Sequence, residues 1–177
     1  MPKPASRGQL ISVDTVRGKD LVPSAKRLLR TQPKSHAGFS TWDASGLFFE
    51  MHGLAVDDRP SSRTLLLLYA ADLHFRLRWD ILPALEQGHT VVAAPYVETG
   101  IAVGLSFGLP RKWLTELFRF APEPAASYWL NGTPATRLAP TAGFLEFCNS
   151  RLNGDLFEDF VSHFKSLVRR GKCETLR

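Results

Sequence analysis

Cysteine is scarce in this sequence. Cys148 and Cys173 are the only two in 177 residues. They stand far apart, so they read as reduced thiols in a cytoplasmic protein and not as a disulfide framework. No run of 18 uncharged apolar residues exists, so no membrane span is expected. The opening stretch "MPKPASRGQL" lacks the apolar segment of a signal peptide. His36, His52, His74, His89 and His163 show no metal-ligand spacing with one another or with the cysteines, so no metal site is expected. Internal repeats, low-complexity segments and linkers are also missing. The formal charge is +5, with mild basic clusters at 26–34 and 169–172. A basic balance attracts phosphates of any kind. No basic run is interleaved with aromatics, however, and no zinc or RNA-binding motif appears. The charge therefore reads as a solvated surface, with a nucleic-acid partner the weaker reading.

What is present suits a globular chain. Apolar residues make up 44% and charged residues 22%, ordinary values for one domain with a sizeable core. Residues 1–177 read as a single domain, with 1–8 a flexible N-terminus. "QLISVD" (9–14) is β-prone and runs into a turn around Gly18, which predicts a first buried strand. "SAKRLLRTQ" predicts a helix, with Pro23 tolerated in its first turn. "GFSTWDASG" (38–46) predicts a short strand entering a loop, and "GLFFEMHGL" is weakly helical.

The strongest element is residues 61–87. Leu66, Ala70, Leu73, Leu77, Ile81 and Leu85 recur every three or four residues and form one stripe of a long helix. Ser61 or Ser62 caps its start, Gly88 stops it, and Pro83 is expected to bend the last turn. "HTVVAAPY" (89–96) is apolar without alternation, as a strand covered on both faces would be. "PRKWLTELFRFA" (110–121) predicts a helix and "ASYWLNG" (126–132) a strand. "FLEFCNSRL" and "DLFEDFVSHFKSLVRRG" read as helices, and "CETLR" as a last strand. Strands alternating with helices predict an α/β fold: three layers, helices on both faces of a mostly parallel sheet of about five strands.

Residues 69–102, "YAADLHFRLRWDILPALEQGHTVVAAPYVETGIA", resemble the thymidylate kinases, which are P-loop nucleoside monophosphate kinases. There the segment runs approximately F-A-A-D-R, a helix, I-L-P-A-L-x-x-G, a short strand and D-R-Y-x-x-S. This chain has Ala70-Ala71-Asp72, Ile81-Leu82-Pro83-Ala84-Leu85, Gly88 and Tyr96 without a gap. Residues 10–29 match the family's first strand, loop and helix. The resemblance covers 9 to about 132, and 133–177 match poorly. It implies a P-loop fold, and its functional residues are expected at the matching positions.

A phosphate-binding loop reads G-x-x-x-x-G-K-[ST] between a strand and a helix. Its glycines turn backbone N–H groups toward the β-phosphate, its lysine neutralises oxygens, and its hydroxyl holds magnesium. With "LISVD" and "AKRLL" as anchors, the family's glycines fall on Thr15 and Asp20, its lysine on Leu21 and its hydroxyl on Val22. A frame shifted by two makes Gly18-Lys19 the Gly-Lys pair, but the first glycine and the hydroxyl are still missing. Arg17 stands where the family usually has aspartate, so Arg17, Gly18 and Lys19 are the remaining nucleotide-binding candidates. The acceptor side is altered in parallel. The arginine after A-A-D is Leu73, D-R-Y is Ala94-Pro95-Tyr96, R-E-P-G-G matches 42–46 with Trp42 in place of arginine, and the glutamine near the base matches Gly104. Arg137 and Arg151 are the nearest candidates for a lid. Each charge-assisted contact contributes about 1.5–3 kcal/mol. Four lost cations, at Leu21, Leu73, Pro95 and Trp42, then cost roughly 6–12 kcal/mol if additive. A reaction that depends almost wholly on positioning and electrostatics does not survive that loss unless other residues replace them.

Trp42, Asp72, Tyr96 and Glu98 are the acceptor-pocket candidates implied by the resemblance. Asp72 reads equally well as a helix-surface carboxylate pairing with Arg76 at i+4. Trp42 and Tyr96 read as stacking partners for a base or as core packing at the C-terminal edge of the sheet. Glu98 reads as a family acidic position or as a solvated loop residue. No catalytic residue, metal or cofactor is predicted. The expected function is that of a kinase-like protein without kinase activity, acting in binding, regulation or assembly. A protein partner or a second copy would meet the helix at 61–87, as related kinases dimerise through helices on this side. The alternative is an active, divergent nucleoside monophosphate kinase that uses ATP and magnesium on dTMP through Arg17, Lys19 and Arg63.

Overall fold

The computed structural model describes residues 8–15, 18–32, 37–42, 44, 60–130 and 174–176. The helices predicted within 46–54 and 144–171, together with Arg17, Arg137 and Arg151, lie outside the described residues.

Five strands form one sheet: β1 (Leu10–Asp14), β2 (Ala37–Thr41), β3 (Thr90–Ala94), β4 (Ala126–Leu130) and β5 (Glu174–Leu176). Their order is β2-β3-β1-β4-β5, and all four pairings are parallel. Leu10 pairs with Val91, Ile11 with Ala126, Ala37 with Thr90 and Tyr128 with Glu174. The period-2 alternation of strand side chains sorts them onto two faces. Ile11, Val13, Val92, Ala94 and Leu130 pack with Leu21 and Ala25 of α1 (Gly18–Thr31). Leu10, Val91, Ala93 and Trp129 pack with the helices of the other face. Strands buried on both faces are what an uninterrupted apolar run such as 91–94 requires.

The second face is covered by α2 (Ser62–Arg76), α3 (Leu82–Glu86), α4 (Val97–Ser106) and α5 (Arg111–Leu117). The Ser61 hydroxyl accepts from the Thr64 N–H at 3.2 Å and caps α2. The sequence predicts one helix bent at Pro83. Instead, α2 and α3 are joined by a π-helical turn at Leu77–Ile81, in which the Leu82 N–H donates to the Leu77 carbonyl. The proline ring would clash with the carbonyl four residues back, and the wider turn relieves that clash without ending the helix. Gly88, at φ 82°, then terminates α3 in the left-handed conformation that glycine adopts without penalty.

Two further elements differ from expectation. The predicted helix at 110–121 is helical only over Arg111–Leu117. Residues 97–106 carry a helix that the sequence reading does not contain. Among the described residues, no helix is long and apolar enough to cross a membrane.

Candidate functional site

The chain leaves β1 toward α1 and β2 on one face, and leaves β3 toward α4, α5 and β4 on the other. Adjacent strands whose connections part in this way open a crevice at their C-terminal ends, where open α/β sheets bind ligands. The residues that converge there are Asp14, the last of β1, and Thr15 after it, Pro95 and Tyr96 after β3, Thr99 of α4, and Asp72 and Arg76 of α2.

Asp14 is fully buried. Its Oδ1 accepts from the Tyr96 N–H at 2.8 Å, the Thr99 N–H at 3.0 Å and the Thr99 hydroxyl at 2.8 Å. Tyr96 is the N-cap residue of α4 and Thr99 lies in its first turn, so Asp14 caps that helix from the end of β1, with its negative charge at the positive end of the helix dipole. Burial pushes the Asp14 carboxyl above its ordinary value of 3.8, while the bonds from Thr99 and Tyr96 and the charge of Arg76 pull it back. The Thr15 N–H donates to the Thr99 hydroxyl at 3.2 Å. In the anchored alignment Thr15 holds the place of the loop's first glycine, and its N–H already has an internal acceptor.

Arg76 brings a guanidinium to the same place. It is 0% exposed. Its Nε donates to Asp72 Oδ2 at 3.1 Å and its Nη2 to the Pro95 carbonyl at 2.9 Å. The i+4 pairing of Asp72 with Arg76 holds, but Asp72 is not a surface carboxylate: both side chains are fully buried. Among the described residues, Arg76 Nη1 and Asp14 Oδ2 are the buried side-chain atoms without a hydrogen-bond partner.

The other predicted site residues are placed as follows. Tyr96 is buried; it accepts from the Tyr69 hydroxyl through its carbonyl and donates its own hydroxyl to the Pro122 carbonyl at 2.9 Å. Burial and the Asp14 charge raise the Tyr96 phenol well above its ordinary value, so it stays neutral. Trp42 is buried in the same core cluster as Tyr96. Glu98 lies in the first turn of α4, not in a loop. It is half-buried and lines a cavity of about 780 Å³ with Ser12, Tyr96, Phe118, Arg119 and Glu123. Gly18 and Lys19 open α1, so only residues 15–17 separate it from β1. In the anchored frame, by contrast, five residues of loop precede the Gly-Lys position. Leu21, in the lysine position of that frame, packs into the core under α1.

At two of the altered acceptor positions, 73 and 104, the chain's own side chains fill the space. Leu73 is 0% exposed in the core. A Cβ added at Gly104 would lie 2.3 Å from Leu114 Cδ2, so the side chain of α5 occupies the space a glutamine there would need. A Cβ at Gly100 would lie 2.5 Å from Phe118 Cζ and 2.7 Å from Tyr69 Cε1. Among the described residues, no group of three or more His, Cys, Asp or Glu is placed to hold a metal ion.

Asp14, Thr99 and Arg76 are absent from the sequence-derived site. Signals for them exist. Thr99 stands three residues after Tyr96, where the pattern D-R-Y-x-x-S ends on a hydroxyl, and Asp14 is a lone acid closing an apolar strand.

No family model matches the chain. It is 31% identical over 105 residues to a probable thymidylate kinase of Caldivirga maquilingensis, covering 58% of this chain and 51% of that one. It is 40% identical over 58 residues to a probable thymidylate kinase of Pyrococcus abyssi, covering 33% of this chain and 28% of that one. The match thus spans about half the length of the curated relatives or less. Among solved structures, the thymidylate kinase of Ehrlichia chaffeensis superposes with a TM-score of 0.65 at 13% identity, over 96% of this chain and 85% of that one.

Proposed function

We infer that this chain, a relative of the thymidylate kinases built on their α/β P-loop fold, works as a binding or assembly protein and not as a phosphotransferase. The observation that carries the reading is the seating of Leu114 against Gly104. An acceptor nucleotide needs an open pocket with polar groups turned into it. Here Leu73 stands in the core at the arginine position and Leu114 fills the space beside Gly104, while the cavity that remains open next to Tyr96 is lined by the acids Glu98 and Glu123, with Arg119 paired to Glu116. Asp14 is taken up by Tyr96 and Thr99, and Asp72 by Arg76. The described residues do not fit ATP and magnesium in the anchored frame, because Leu21 and Val22 supply neither a cation nor a hydroxyl. Calorimetry with ATP and magnesium, with and without dTMP, together with a phosphoryl-transfer assay, tests this. The expected result is no transfer above background; ordinary turnover of dTMP overturns it.

The assembly half of the reading rests on the outer face of the long helix. Leu67 (50% exposed), Phe75, Trp79 (62% exposed) and Leu82 stand out from it. Arg63 and Glu86 are exposed near its two ends. Leu67 and Leu82, like Arg63 and Glu86, lie equally far in sequence from the midpoint between His74 and Phe75. An antiparallel second copy would therefore set leucine on leucine and arginine on glutamate, which is why a copy of this chain is the proposed partner. Analytical ultracentrifugation is expected to show a dimer that Trp79→Asp dissociates; a clean monomer removes the dimer and leaves the first half of the reading intact.

A second reading, the active kinase that needs ATP and magnesium, is favoured by one observation. Gly18 and Lys19 sit in the first turn of α1, as a Gly-Lys pair of a phosphate-binding loop would. Lys19→Ala would abolish nucleotide binding under this reading and leave nothing to abolish under the first.

A further inference from the structure

We propose that the N-terminus of α4 together with Arg76 forms an oxyanion site, and that the chain fills this site with its own Asp14 carboxylate. This goes beyond the loss of kinase activity: it names a ligand class and the residues that select it.

Three donors converge on one point. The Tyr96 N–H, the Thr99 N–H and the Thr99 hydroxyl all meet Asp14 Oδ1, at 2.8, 3.0 and 2.8 Å. Two are backbone groups that α4 cannot satisfy internally, because the first N–H groups of a helix have no acceptor in the turn before them. They lie at the positive end of the helix dipole, which favours a negative group. α4 runs ten residues, from Val97 to Ser106, enough for that dipole to develop.

The second, independent observation is Arg76. Its side chain is fully buried, its Nη2 bonds the carbonyl of Pro95, the residue just before Tyr96, and its Nη1 has no partner. A buried guanidinium N–H without an acceptor is costly. Asp14 Oδ2 is also without a partner. Asp14 and Arg76 form no ion pair within 4.0 Å, although the Arg76 charge acts on the carboxyl. The carboxylate thus uses the helix donors in full and leaves the guanidinium donor unused. A free oxyanion, not tethered to β1, can turn to engage both. The ligand class is a small, planar or tetrahedral oxyanion such as formate, acetate or inorganic phosphate. It enters only where the Asp14 side chain does not stand.

Truncation and refilling test this. Asp14→Ala is melted in formate and in chloride at equal ionic strength. The expected result is a saturable rise in melting temperature with formate that chloride does not give and that the wild-type chain does not show. Adding Thr99→Val or Arg76→Met to Asp14→Ala is expected to abolish the formate response. Acetate and phosphate, tried in the same way, report how large an anion the space admits. If Asp14→Ala does not fold in either salt, Asp14→Ser, which keeps an oxygen facing Thr99, carries the same comparison. The proposal is overturned if neither variant responds to formate, if chloride acts equally, or if the response survives the addition of either Thr99→Val or Arg76→Met.

Discussion

Thr99 of α4 donates twice to a single oxygen of Asp14, through its hydroxyl at 2.8 Å and its backbone N–H at 3.0 Å. The end of the first strand and the start of a helix more than 80 residues later are thereby tied at one atom. The hydroxyl bond is charge-assisted when Asp14 is ionised, and such bonds contribute about 1.5–3 kcal/mol. Thr99→Val keeps the shape and removes the hydroxyl, so it is expected to destabilise the chain by about that amount. Thr99→Ser should recover most of the loss. Urea unfolding of the three proteins checks both, and a Val variant as stable as the original would show that the clamp is idle.

Arg76 is the more severe case. Its removal breaks the buried pair with Asp72 at 3.1 Å, and breaking such a pair by removing one partner costs about 3–5 kcal/mol. Arg76→Met is therefore expected to lower the unfolding free energy by that much. Replacing both partners, Asp72→Leu with Arg76→Met, removes the whole ion pair and should return part of the loss. A double-mutant cycle that came out additive would contradict the coupling.

These two groups show what the sequence can and cannot reveal. The stripe Leu66, Ala70, Leu73, Leu77, Ile81 and Leu85 repeats at the helical period, so the long helix was legible; the first five are buried and Leu85 is half-buried. Residues 91–94 were legible as an inner strand because both faces demand apolar side chains. The helix α4 was not: "VETGIAVGLS" has two glycines, β-branched residues and little polar contrast between its faces, so periodicity gives no signal. The pairing of Asp72 with Arg76 was legible from its spacing, but its burial was not. The i+4 geometry is the same on an exposed helix; the carbonyl of Pro95 that draws Arg76 inward comes from a distant strand end.

Packing between α4 and α5 gives a third prediction. Gly104→Ala places a Cβ against Leu114 and should cost about 1–3 kcal/mol through overpacking. Leu114→Ala alone leaves a cavity and should cost about 2–5 kcal/mol. Combined, the two should cost less than their sum, because the small side chain at 114 makes room for the new methyl. Thermal or urea unfolding of the four proteins reads the difference.

The last prediction concerns pH. Burial holds the Asp14 carboxyl above its ordinary value of 3.8, so there is a range in which the folded chain keeps a proton that the unfolded chain has released. Stability from this group is fully present below 3.8 and is lost as pH rises through the raised folded value. Asp14→Asn cannot titrate there. The difference in unfolding free energy between the original and the Asn variant should therefore shift against the original as pH climbs above 3.8. A difference that stays flat with pH would mean that Asp14 titrates alike in both states.

The interlock of Gly100 with Phe118 and of Gly104 with Leu114 has a mechanical consequence. Knobs set into notches on a neighbouring helix prevent sliding, so α5 can leave α4 only by lifting away as a unit. Hydrogen exchange along these two helices should then be correlated, opening together or not at all.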